Sequence, residues 1–202
     1  MNFKNLKFKK VSGTLNGEAE YDLGDGSYSY RGTLSNLRIK DVYYYRYFNL
    51  GLDGDAYGEF YGVGDKKVFS SRSHIRLTNS SVENVRLNDS ILTVYNNKDD
   101  LFFTTSILGG ELKGEGYLNL SGKKTKKSVL SLKLNTPSLK SFAGVLGKHN
   151  ILNQAIRGKM VATMNSDFYL EDFSNFNLTA TLDELNFSYP GVRINRLDKP
   201  LK

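Results

Sequence analysis

Cysteine and tryptophan are both absent from this 202-residue chain, proline occurs three times and histidine twice. Without cysteine there is no disulfide framework, no thiolate metal site and no thiol nucleophile. His74 lies in a strand-like run and His149 in a loop-like one. Neither stands at ligand spacing from a second histidine or a carboxylate pair, so metal chemistry has no visible seat. No stretch approaches the roughly 20 apolar residues of a membrane-crossing helix. Residues 1–10 are basic but lack an unbroken apolar core, so they do not read as a secretory signal.

Motifs of catalysis are missing too. There is no Gly-x-Ser-x-Gly elbow for a nucleophilic serine. A calcium loop begun at Asp53 would place Tyr57 at its fifth position and Gly64 at its twelfth, where oxygen ligands are needed. Gly109, Gly110, Gly114 and Gly116 are not followed by the Gly-Lys-Ser/Thr of a phosphate loop. The chain is therefore read as a non-enzyme with no cofactor.

What is present favours strands and turns: 19 glycines, 13 tyrosines and 12 phenylalanines. The length suits one large all-β domain or two smaller units. A formal net charge of +7 is spread along the chain. It either keeps sheet surfaces soluble and their edges unpaired, or attracts an anionic surface such as phospholipid headgroups. Tyrosines beside arginine, as in Ser27-Tyr28-Ser29-Tyr30-Arg31, also occur where single-stranded nucleic acid is stacked. In a meander such rings pair across strands instead, and no nucleic-acid partner is expected.

A short phrase recurs. Leu15-Asn16-Gly17-Glu18-Ala19 returns as Leu52-Asp53-Gly54-Asp55-Ala56 and as Leu112-Lys113-Gly114-Glu115-Gly116, with a looser copy at Ile156-Arg157-Gly158-Lys159-Met160. Its spacing is too irregular for a solenoid of fixed coil length. It suggests one elongated sheet that repeats a single structural gesture and works through its faces.

Gly24-Asp25-Gly26 marks a hairpin. Strands are expected over 68–78, 81–87, 90–95, 101–108, 111–120, 129–135, 155–165 and 177–186, separated by turn clusters at 96–100, 109–110 and 122–127. The aromatic run 42–48 is read as a strand, although its spacing also suits a helix face. One short helix is expected over 137–147, with Thr136 as N-cap, Pro137 at its first position and Gly147 ending it. A weak domain seam near 96–100 is possible, but a single continuous segment is favoured.

In the second half, apolar residues alternate with polar ones. Leu118 and Leu120; Leu130, Leu132 and Leu134; Met160, Ala162 and Met164; Leu178, Ala180 and Leu182 all fall at even positions. Such strands make a sheet with one oily and one wet face. A second sheet would cover the oily face in a sandwich, and acyl chains would cover it in an open curved sheet. Lys123, Lys124, Lys126 and Lys127 form a basic run, either a solvated hairpin tip or a contact for acidic headgroups.

This texture resembles the AsmA/TamB-like superfamily of bacterial envelope proteins. The resemblance rests on the repeated Leu-x-Gly-acid-Ala/Gly phrases, and on residues 131–139 followed by Ile156-Arg157-Gly158-Lys159. It also rests on 178–185 closing on Leu197-Asp198-Lys199-Pro200-Leu201. It implies a taco-like sheet around a hydrophobic groove that carries phospholipid between inner and outer membranes or assists outer-membrane assembly. The location implied is the periplasm of a Gram-negative cell, anchored through parts not in this chain, which is read as an excerpt of a longer protein. The groove candidates are then Leu118, Leu120, Leu130, Leu132, Leu134, Met160, Ala162, Met164, Leu178 and Leu182, with phospholipid acyl chains as partner. The alternative is a cell-surface β-sandwich that recognises glycan or protein.

Overall fold

The computed structural model describes residues 2–10, 13–41, 52–82, 85–121, 126–139, 157–189 and 192–194. They form thirteen antiparallel strands: β1 (Asn2–Lys10), β2 (Gly13–Tyr21), β3 (Tyr28–Arg38), β4 (Leu52–Gly64), β5 (Phe69–Val82), β6 (Val85–Arg86), β7 (Ser90–Asn97), β8 (Asp100–Ile107), β9 (Leu112–Asn119), β10 (Ser128–Thr136), β11 (Arg157–Tyr169), β12 (Asp172–Tyr189) and β13 (Val192–Ile194). All belong to one open, curved sheet. Strands follow in chain order from β1 to β13, with the two-residue β6 set aside as a partner of β5. The fold is all-β, as its composition and turn spacing lead one to expect.

Tight turns set the order. Asp22 accepts the backbone N–H of Gly24 at 2.7 Å, and Gly26 takes φ +76°, a conformation glycine adopts without strain. Asp65 accepts the N–H groups of Lys67 and Val68 at 2.6 and 2.8 Å, which closes the β4–β5 turn. Residues 96–100, read as a possible seam, hold the β7–β8 hairpin, in which Asn97 faces Asp100.

Two expected boundaries move. The strands foreseen over 68–78 and 81–87 are one long strand, β5, plus the short β6. Asn79 and Ser80, between the two expected strands, form a bulge. Asn79 takes φ +49°, and the register slips between Asp53 and Asp55 on the facing strand, where Gly54 has φ +152°. Of the helix foreseen over 137–147, residues from 140 on lie outside the described residues, as does the aromatic run at 42–48. The expected cap contact is present: the Thr136 hydroxyl accepts the Ser138 N–H at 3.3 Å.

The sheet has little interior. Among the described residues the buried apolar side chains are Ala56, Leu87, Leu108, Leu134 and Leu139. The chain exposes 13749 Å², against roughly 9,500 Å² for a compact monomer of the same mass. No second layer faces the sheet among the described residues.

Candidate functional site

Residues paired across an antiparallel ladder point to the same face, so the register assigns every strand residue a side. Leu130, Leu132 and Leu134 face Gly116, Gly114 and Leu112 of β9. Leu132 and Leu134 also face Met164 and Ala162 of β11, and Met160 faces Thr136. Met164, Ser166 and Ala162 in turn face Ala180, Leu178 and Leu182 of β12. Leu118 faces Leu101. Nine of the ten groove candidates therefore share one side of the sheet. Leu120 lies just past the end of β9, where its N–H donates to the Asp99 carbonyl.

The same side continues into the half of the chain that looked less regular. From Leu132 the ladder passes through Gly114 and Thr105 to Leu92, then to Ile75, Gly58, Leu34 and Leu15. One apolar face thus runs from β2 to β12. Sequence reasoning missed its first half because parity switches at bulges. In β3 the register slips between Leu34 and Leu37 beside Asn36, at φ +52°, so both leucines stay on the apolar side despite odd spacing. In β12 a slip between Val161 and Ala162 of the facing strand carries the apolar side from Leu182 to Leu185. The repeat phrase held the missing signal. Leu15, Gly17 and Ala19 stand on the apolar side with Leu112, Gly114 and Gly116, while Asn16, Glu18, Lys113 and Glu115 stand opposite.

Gly114 of the phrase, with three other glycines of this face, has a steric reason. On the apolar face large side chains lie across glycines of the next strand. A Cβ at Gly32 would sit 2.5 Å from Cζ of Phe60, one at Gly62 2.5 Å from Cζ of Tyr30, one at Gly116 2.4 Å from Cε1 of Phe103, and one at Gly114 2.7 Å from Cδ2 of Leu132. Side chains laid flat shield one another, so this face is half-buried while the opposite face alternates to exposed positions. Shielding fades at β12, where Leu178 is 53% exposed.

The opposite face is held by cross-strand polar pairs. Arg31 bonds to Glu18 and Arg76 to Asp89, and Lys159 reaches Glu184 at 2.9 Å. Arg38 and Lys40 both hold Asp53, at 3.0 and 3.2 Å. The Arg38 hydrogen bond is the main reason the Asp53 carboxyl falls from 3.8 to about 2, despite some desolvation. Tyr95, Phe102 and Tyr117 make an aromatic ladder with centroids 6.2 and 5.1 Å apart. Those rings pair with each other across the strands. Shallow depressions on this side, one of about 620 Å³ framed by Lys7, Glu18, Arg31, Glu59 and Tyr61, bring opposite charges together without a convergent set. Among the described residues no cluster of three His, Cys, Asp or Glu side chains suits a metal.

Of the basic run, Lys126 stands 3.9 Å from the centroid of Tyr117 and 3.8 Å from Asp100, and Lys127 pairs with Asp167. Lys123 and Lys124 lie outside the described residues. His74 meets the Thr93 hydroxyl at 2.9 Å as an ordinary cross-strand pair. No protein-family model, no curated protein and no solved structure matches the chain.

Proposed function

We propose that the apolar face is a bed for phospholipid acyl chains, and that the chain is a segment of an envelope protein moving lipid between membranes or assisting outer-membrane assembly. One observation carries this reading: a continuous oily face, shared by strands β2 to β12, with no second layer over it among the described residues. Each CH₂ taken out of water contributes about 0.8 kcal/mol, so a sixteen-carbon tail laid along it gains on the order of 10 kcal/mol. That gain is spread over many weak contacts and leaves a bound chain free to slide.

Native mass spectrometry of the purified chain tests the reading, with co-purifying phospholipid as the expected result. Leu132→Asp combined with Met160→Asp should remove that lipid while the β-sheet circular-dichroism signal persists, because both positions are half-exposed. Collapse of the fold would show a closed apolar core, since an unpaired buried charge is costly. A lipid-free wild-type chain would favour the sandwich-like binding module instead.

A further inference from the structure

Because neighbouring strands run antiparallel, the turns after β2, β4, β7, β9 and β11 all lie along one edge of the sheet. Four of these five turns carry an exposed aliphatic side chain. Leu23 is 76% exposed, Val68 45%, Leu120 44% and Leu170 39%. Leu23 is the most exposed large apolar side chain among the described residues. Hairpin tips are normally polar, so a leucine or valine at tip after tip calls for a cause.

Lysines accompany them. Lys66 and Lys67 precede Val68, and Lys98 fills the β7–β8 turn; all three are exposed, and among the described residues their ammonium groups have no hydrogen-bond or ion-pair partner. Of the acids in the same turns, Asp22 accepts the backbone N–H of Gly24, Asp25 that of Ser27, and Asp65 those of Lys67 and Val68, while Asp99 and Glu171 are exposed. At the foot of the first turn Tyr21 faces Tyr28, residues that favour the headgroup level of a bilayer. The aliphatic tips stand on separate turns about 10 Å or more apart, given strand spacing near 4.8 Å. Protein partners are anchored by clustered side chains, whereas a bilayer accepts single residues inserted one by one between lysines that reach for phosphate.

We propose that this hairpin edge docks on a lipid bilayer carrying anionic headgroups, with Leu23, Val68, Leu120 and Leu170 inserted and Lys66, Lys67 and Lys98 at phosphate level. It borrows from the preceding reading only the class of partner, since none of these side chains belongs to the apolar face. The absence of tryptophan makes the test direct. Leu23→Trp introduces a single indole, and its emission should shift to the blue with phosphatidylcholine vesicles containing phosphatidylglycerol. Thr104→Trp, exposed on the polar face, should not shift. Leu23→Asp and Leu120→Asp should each weaken co-sedimentation with those vesicles about tenfold.

An unshifted Leu23→Trp, an equal shift for Thr104→Trp, or unchanged sedimentation of the aspartate variants overturns the docking edge. Lipid retained in native mass spectra alongside any of those results leaves the apolar-face reading standing. A blue shift in a chain that carries no lipid separates the two the other way.

Discussion

At the scale of single residues, the glycines of the apolar face show how a one-layer sheet limits its exposed hydrocarbon. Phe103 lies where a side chain on Gly116 would stand, 2.4 Å from the ideal Cβ. Strand propensity alone would favour valine there by up to about 1 kcal/mol. Displacing the ring should outweigh that gain, and we expect Gly116→Val to lose about 1–3 kcal/mol, read from the midpoint of urea unfolding. Phe103→Ala added to that variant should recover part of the loss. A Gly116→Val chain as stable as the wild type would show that the ring has other room. The chemistry of this position was half legible in the sequence. In the recurring phrase Gly116 stands where other copies carry Ala19 and Ala56, which signalled a small residue, but the ring that demands glycine sits on another strand, 13 residues away in a chain that gives no sign of which neighbour it will have.

Between elements, strands and hairpins were readable because alternation and turn chemistry are local. The bulges were not, because each changes parity for a reason that lies on the facing strand. Asn36 and Asn79 are the exception, since asparagine tolerates positive φ and both sit where the alternation breaks. Across the β3 and β4 bulges the polar face supplies a clamp: Arg38 and Lys40, at the end of β3 and in the 3₁₀ turn after it, converge on Asp53 of β4. The folded-state carboxyl titrates at about 2 rather than 3.8. Its stabilisation is therefore fully present above about pH 4 and is lost as pH falls from there toward 2. Asp53→Asn should lower the denaturant midpoint at neutral pH and flatten the fall between about pH 4 and 2, so that the two chains converge in acid, as measured by denaturant midpoints at stepped pH. Identical acid slopes in both chains would mean the clamp contributes nothing.

For the whole molecule, twelve strands stand side by side in sequence order, which at about 4.8 Å per strand spans roughly 50 Å. A compact chain of this length would have a radius of gyration near 17 Å. Small-angle scattering should return a larger value, and one at or below about 17 Å would mean the sheet has rolled shut. The order of strands has a separate consequence for how such a protein changes over generations. Since each long strand leans only on those made just before and just after it, a duplicated or deleted hairpin pair adds or removes width without disturbing the rest. The reach of the ribbon is then a heritable quantity that can be tuned in steps of two strands, much as a zipper is cut to length.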